Sequence, residues 1–296
     1  MKKPMTILGL MLFRILLWGQ ESAHDPIGQD PPADQTHPAT MAELVMESQG
    51  SKIMGLIYMP VGKGPHPTLV MAHGFPGNER NLDLAQIWRR AGWNTLYFNY
   101  RGSWGSQGSY SYANCLQDID AVLAFLKLPE SVEKYRVDAR RLVLFGHSFG
   151  GGLSLLASLK NPQVKGVISL AGFNVGALAN YLAQSNDLSF AAYAEKQVCL
   201  RLESGMALQD ELIANREAWN LVNRAPELVQ KKLLLISDSK DEQVSKALYH
   251  TPLAEALEKA GAKELTHVLM ETDHAFSAKR IAVANAVLEW LEKQGL

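Results

Sequence analysis

Cysteine is scarce in this chain: Cys115 and Cys199 are the only two in 296 residues. They stand far apart and match no metal-ligand spacing, which excludes a disulfide-built scaffold and a thiolate zinc site. They read as packed or free thiols, with a single disulfide open to them if the protein is exported. Net charge is also nearly absent, at −1, and a nucleic-acid binder normally carries a basic face to neutralise phosphates. No internal repeat is visible. The apolar run from Met5 to Trp18 is interrupted by Arg14 and is short for a membrane span. Preceded by Lys2 and Lys3, it instead has the layout of a signal peptide, expected over residues 1–23, although Glu21 spoils a small-residue cleavage site ending at Ala23. The expectation is therefore an exported protein, periplasmic or secreted, with no membrane contact once the signal is removed; the alternatives are a retained anchor or a cytoplasmic protein whose start lies further on.

The remaining composition, 47% hydrophobic and 20% charged, suits one large α/β domain. Residues 24–40 carry Pro26, Pro31, Pro32 and Pro38 among few apolar residues and read as a disordered linker. From residue 41 onward the pattern alternates. Ala42–Glu47 and Ile53–Met59 flank the turn signal Ser48-Gln49-Gly50 and predict an edge hairpin. Strands are predicted at Thr68–Ala72, Thr95–Phe98, Leu142–Phe145, Val164–Leu170, Leu233–Ile236 and Thr266–Met270. Helices are predicted at Asn81–Ala91, Ala113–Leu126 and Ile281–Leu291. Parallel strands joined by helices make a doubly wound sheet whose site lies at the strands' C-terminal ends. Residues 173–225 break the alternation with helical segments alone. Inserted between the sixth and seventh strands, they are expected to form a cap, with Tyr181, Phe190, Tyr193 and Trp219 shaping a pocket.

The chemistry concentrates in Gly146-His147-Ser148-Phe149-Gly150, which follows the apolar strand and precedes a small-residue helix. Strand, sharp turn and helix hold a serine hydroxyl exposed at the top of a sheet. A serine needs a base within hydrogen-bond reach, itself oriented by a carboxylate. Three histidines follow Ser148. His250 belongs to a helix and His267 to a strand interior, whereas His274 lies in the loop just past the last strand and is the expected base. The carboxylate is expected in the loop after Leu233–Ile236, where Asp238, Asp241 and Glu242 compete. Their spacing fits no calcium loop. Oxyanion donors are expected from the amides of Phe149 and of Phe75 in His73-Gly74-Phe75-Pro76-Gly77. His73 reads as a side chain that braces its loop, His147 as one that packs beside the serine turn, and Arg101 as a structural brace after its strand.

Together, His73–Gly77, Asn99-Tyr100-Arg101-Gly102, Gly146–Gly150, Asp241-x-x-Val244 and Asp273-His274 make the chain resemble the α/β-hydrolase superfamily. The resemblance is to its dienelactone hydrolase and prolyl oligopeptidase-like branch, over roughly residues 42 to 294. It implies a mostly parallel, doubly wound sheet with flanking helices, a Ser148–His274–Asp241 triad, and catalysis without metal or cofactor. Asp241 fits the Asp-x-x-Val pattern, while Asp238 stands where such proteins often carry glycine, so the acid assignment stays open between them. No β-propeller precedes the domain.

The expected activity is hydrolysis of a small carboxylic ester through an acyl-enzyme. Similar proteins include esterases that release hydroxycinnamoyl or acetyl groups from plant polysaccharides. A peptidase or amidase uses the same triad with an added clamp for a peptide terminus, for which Arg101 and Arg201 are candidates. A binding protein without turnover usually lacks a triad member, and here every position is filled.

Overall fold

The computed structural model describes residues 24–241 and 246–296. The expected signal peptide, Glu242 and Val244 lie outside the described residues. Eight strands form one sheet in the order β1-β2-β4-β3-β5-β6-β7-β8. β1 (Thr40–Ser48) and β2 (Ser51–Met59) are the expected edge hairpin, paired antiparallel from Thr40↔Met59 to Ser48↔Ser51. Its two turn residues, Gln49 and Gly50, both have positive φ, 48° and 74°. That geometry suits the right-handed twist of the flanking strands.

The core strands are β3 (His66–Ala72), β4 (Asn94–Phe98), β5 (Val137–His147), β6 (Val164–Leu170), β7 (Lys232–Asp238) and β8 (Leu265–Met270). From β4 to β8 across the sheet, every neighbouring pair is parallel. Alternation at period two divides their apolar side chains between two cores. Val70, Leu144, Val167 and Leu235 face one layer of helices, and Leu69, Val143, Ile168 and Leu234 face the other. Burial on both faces explains why these strands read as continuous apolar runs rather than alternating ones.

β5 begins five residues earlier than the apolar run suggests. Its opening residues include Asp138, Arg140 and Arg141, which resemble a loop in sequence. Asp138 satisfies them locally, accepting from the Arg140 amide at 3.0 Å and from Arg141 Nε at 2.9 Å. A register shift between His66 and Thr68 then joins this segment to the apolar part.

The expected disordered linker, residues 24–40, is described here in an irregular conformation up to Thr40. Residues 24–39 contain no helix or strand, yet arginines distant in sequence hold their carbonyls against the domain. Arg90 Nε donates to Pro26 O at 2.5 Å, and Arg136 Nη2 donates to Pro38 O at 3.2 Å. The Gly62 amide donates to His37 O at 2.9 Å. Thr40 already belongs to β1.

The cap comprises α5 (Val175–Ser185), α6 (Ser189–Glu195) and α7 (Gly205–Ala214), followed by a short turn of helix at Ala225–Leu228. It enters the chain between β6 and β7. Among the described residues no helix is long and apolar enough to cross a membrane.

Candidate active site

Ser148 occupies the junction between β5 and α4 (Phe149–Lys160) with φ 57° and ψ −123°. A non-glycine residue in this region costs on the order of 1–3 kcal/mol, so its neighbours must impose it. They do so through the backbone: Ser148 N–H donates to Leu170 O at 2.9 Å, and the Phe173 amide donates to Ser148 O at 3.0 Å. The turn also demands close approach. A Cβ on Gly146 would stand 2.0 Å from Gly150 O, and one on Gly150 would stand 2.0 Å from Ala72 O. Glycine at both positions lets helix, turn and strand meet.

His274 lies in the loop between β8 and α10 (Arg280–Lys293), and its ring lines the same pocket as Ser148. The loop is fixed from several sides. Asp273 accepts from the Ser277 amide and hydroxyl, both at 2.7 Å; Phe276 is fully buried; and Arg280 Nη1 donates to Ala275 O at 3.0 Å. His147, the residue before the serine, donates Nε2–H to His274 O at 2.9 Å. Burial, reinforced by the neighbouring His274, pulls the His147 pKa down to about 3, so its ring is neutral near pH 7. The sequence placed His147 beside the serine turn, and its bond to the His274 main chain is what the structure adds.

Asp241 follows β7, and its carboxylate accepts a short hydrogen bond from His274 Nδ1. The two loops are stitched together beneath this pair: Ser239 N–H donates to Met270 O and Lys240 N–H to Thr272 O, each at 3.0 Å. An imidazole that donates through Nδ1 keeps its Nε2 lone pair, which is the acceptor a serine hydroxyl requires.

The structure thus brings Ser148 and His274 to one cavity and pairs His274 with Asp241. Asp238, the competing acid, ends β7 at 0% exposure. Neither of its carboxylate oxygens makes a well-formed hydrogen bond among the described residues, although the amides of Asp238 and Asp241 lie near enough to favour its charge. Burial first, and the Asp241 charge second, push its pKa up to about 6. Carboxylate and imidazole atoms of Asp238, Asp241 and His274 all lie within 4.8 Å of one another. Because Asp241 and His274 are already bonded to each other, we read the group as an acid–base pair with a third carboxyl behind it.

The loop carrying Phe75 packs directly on the serine: a Cβ on Gly74 would lie 3.1 Å from Ser148 Cβ. Phe149 opens α4, so its N–H has no acceptor inside the helix. His73 braces this loop, its Nδ1 lying 2.7 Å from Gly74 O, while Tyr100 Oη donates to His73 O at 3.2 Å. Arg101 is buried and donates Nε to Asp118 at 2.6 Å, which occupies it structurally.

The cavity measures about 620 Å³, and aromatic rings form one part of its wall, with Asn78, Glu79 and Ser189 among the polar residues that share the lining. Phe75 lies 5.5 Å from Phe149, 5.7 Å from Phe190 and 5.9 Å from Tyr193, ring to ring. Phe173 and Tyr249 close another side, 4.3 Å apart. Two expected pocket residues lie elsewhere. Tyr181 is half exposed and bonds to Asp187 at 3.3 Å. Trp219 is buried 4.7 Å from Tyr112, whose ring in turn packs 5.4 Å from Phe149; it backs the wall without lining it. Phe173, Leu178 and Tyr249 line the cavity instead. The aromatic content of the cap was readable, but which face of each helix turns inward depends on how the helices pack.

Comparison with known proteins gives the fold a family. The chain is 29% identical over 145 residues to the quorum-quenching protein AidA of Acinetobacter baumannii, covering 47% of this chain and 46% of that protein. It is 28% identical over 151 residues to the esterase FrsA of Escherichia coli O157:H7, covering 47% of this chain and 33% of that one. These alignments span less than half the length of either relative. Among solved structures, Est1E from Butyrivibrio proteoclasticus with ferulic acid bound superposes with a TM-score of 0.67 at 20% identity, over 85% of this chain and 98% of that one. The family model for the alpha/beta hydrolase fold matches residues 67–261, well over half of the sequence, and the chain belongs to that family.

Proposed function

We propose that the protein is a serine hydrolase that cleaves small carboxylic esters through an acyl-enzyme. The observation that carries this reading is the Asp241–His274 hydrogen bond at a pocket whose floor is the strained Ser148 turn. Ser148 Oγ attacks the ester carbonyl while His274 Nε2 takes its proton. Asp241 holds the imidazole in the required tautomer and stabilises the imidazolium that forms. The Phe75 and Phe149 amides bind the negative oxygen of the tetrahedral intermediate, where each donor is worth about 3 kcal/mol. His274 then protonates the leaving alcohol, and water repeats the sequence to release the acid. Residues of the chain account for each proton transfer.

What favours an ester over a peptide is the ring-lined side of the cavity and the absence of both candidate arginines from its lining: Arg101 is engaged with Asp118, and Arg201 donates Nη1 to Gly108 O at 3.0 Å, although Asn78 and Glu79 also line the cavity. The experiment is hydrolysis of p-nitrophenyl esters of increasing chain length and methyl hydroxycinnamates beside aminoacyl p-nitroanilides, with Ser148→Ala as control. Ester turnover that disappears in S148A supports the reading. Anilide turnover without ester turnover transfers the protein to the peptidases, and turnover surviving in S148A overturns the mechanism.

A further inference from the structure

The loop that carries Phe75 has little main-chain support of its own. Among the described residues, no backbone–backbone hydrogen bond reaches residues 75–80. Upstream, His73 Nδ1–H donates to Gly74 O and Tyr100 Oη donates to His73 O, so the end of the strand is secured. Downstream, Pro76 has no N–H to give, and its carbonyl is the next main-chain group that the rest of the fold holds. The donor is the indole of Trp104, whose Nε1–H meets Pro76 O at 2.8 Å. The Cys199 thiol stands 4.0 Å from the same oxygen, at the outer limit of a sulfur contact. The Phe75 amide therefore lies between two side-chain anchors, His73 before it and Trp104 after it.

Trp104 belongs to the loop after β4, and its backbone is strained where it presents the indole. Its φ is 47°, a conformation that a bulky L residue rarely adopts. Trp104 N–H donates to Cys199 O at 3.0 Å and Asn99 Nδ2 donates to Trp104 O at 3.3 Å, which holds the turn in place. Segment 199–201 lies between α6 and α7, outside the helices that line the cavity. It adds a bridge from Leu200 to Ser103 and a bond from the Arg201 amide to Gly102 O at 2.7 Å. The indole then packs against the Phe75 loop. Gly77 leaves it room, since a Cβ there would lie 2.9 Å from Nε1, and the Arg80 guanidinium lies 4.7 Å from the Trp104 ring. Trp104 is not in the lining of the cavity at Ser148, so this arrangement does not serve contact with substrate.

We propose that Trp104 is a positioning residue for the oxyanion hole: its indole N–H, by holding Pro76 O, aims the Phe75 amide at the substrate oxygen. The inference rests on the serine hydrolase reading. The proline ring fixes φ at residue 76, so movement of that carbonyl passes to Phe75 through few soft torsions. A hydrogen bond weakens steeply as its angle departs from the optimum, and the donor must meet the oxygen of the tetrahedral intermediate rather than that of the planar ester. Loss of the indole N–H is therefore felt in the transition state and scarcely in the ground state. Removing an oxyanion donor outright costs about 10²- to 10³-fold in rate, and misaiming one is expected to cost about 10- to 100-fold.

The test compares two ketones in the full chain. Trifluoromethyl butyl ketone accepts Ser148 Oγ at its carbonyl carbon: the O–C bond forms, the C=O π pair moves to oxygen, and the hydroxyl proton passes to His274. The adduct is a hemiketal oxyanion that needs the same donors as the reaction. Methyl butyl ketone has the same skeleton but binds as a planar carbonyl. Each is measured by how far it slows fluorophosphonate labelling of Ser148 in the wild-type chain, in Trp104→Phe, and in a chain with benzothienylalanine in place of Trp104. Phenylalanine keeps a ring without the donor. The benzothienyl residue keeps the indole shape with sulfur in place of N–H, and it decides the matter if W104F does not fold. The expected result in a folded variant is that the trifluoromethyl ketone binds about 10- to 100-fold more weakly while methyl butyl ketone stays within about twofold. A folded variant that weakens both ketones alike, or neither, overturns the inference while leaving the serine hydrolase reading intact. A wild-type chain that is not labelled overturns that reading, and the inference falls with it.

Discussion

His147 and His274 are joined by a hydrogen bond from ring to backbone, 2.9 Å from Nε2 to the carbonyl oxygen, with the rings 4.9 Å apart. The residue beside the nucleophile therefore fixes the main chain of the base, and the two sides of the site share one support. Replacing His147 with alanine leaves the His274 carbonyl without its donor and the loop without its stop. A base displaced by about 1 Å can cost about 100-fold in rate. H147A is expected to label with fluorophosphonate about 10- to 100-fold more slowly at pH 8, with an unchanged circular dichroism spectrum. Labelling at the wild-type rate would mean that the loop holds itself.

Asp241 is the carboxylate that contacts His274. Asparagine in its place offers the wrong hydrogen-bonding pattern for the reactive tautomer, a change that costs about 10⁴-fold in a comparable triad. D241N should lower kcat for p-nitrophenyl acetate by at least about 10³-fold. If most of the rate survives, Asp238 has taken over the role.

Phe190 stands in the wall beside Phe75, with the rings 5.7 Å apart. Its truncation to alanine opens room for a longer acyl chain, and discrimination by an apolar pocket runs at about 1–3 kcal/mol per methylene. The ratio of kcat/KM for octanoate to that for acetate esters should rise about 10-fold in F190A. An unchanged ratio would move the acyl group to the side formed by Phe173 and Tyr249.

Trp219 gives the opposite expectation. Buried behind the wall against Tyr112, it should cost about 3–5 kcal/mol on truncation to alanine, seen as a clear fall in the denaturant midpoint. The acyl-chain profile should keep its order. A reordered profile without loss of stability would place Trp219 inside the pocket after all.

Acid should destabilise the fold. Burial lowers the pKa of His73 to about 4, of His147 to about 3 and of His250 to about 4. Below pH 6.5 the unfolded chain binds protons that the folded chain refuses, so stability falls as pH falls through this range. Asp238 opposes this, since its raised pKa, about 6, makes the folded chain the better proton acceptor between pH 6 and 4. From pH 7 to pH 5 three histidines at about 2 kcal/mol each, less about 1.5 for Asp238, leave a net loss of about 4 kcal/mol. The melting temperature should drop by about 10 °C. A flat profile over that interval would mean that the histidines gain charge without unfolding.

Much of this was readable from the chain because it is local. The serine turn requires glycines at fixed offsets, the edge hairpin announces itself through Gln49-Gly50, and His274 follows its strand directly. What escaped notice depends on residues far apart in sequence. Residues 24–39 look too polar to pack, but Arg90 and Arg136 lie outside the segment. Trp219 and Phe190 are both cap aromatics, and only the packing against Tyr112 separates the one from the other. The burial of Asp238 is likewise invisible in an acidic loop of several carboxylates until the strand pairing with Met270 is known.

The wall of the pocket has a consequence for how such an enzyme can change over time. Phe75 and Phe149 each present an aromatic ring to the cavity and, in the proposed reaction, a backbone amide to the substrate oxygen. Side-chain substitution there leaves the amide in the chemical formula but alters the packing that aims it, so selectivity and rate are mutationally coupled at these two positions. Phe190 and Tyr193 from α6, Leu178 from α5 and Tyr249 from α9 (Lys246–Lys259) carry no such second duty. New substrate preferences can be explored on those helices with the reaction machinery held constant, which makes the cap, together with α9, the helix that follows β7, the evolvable half of the pocket.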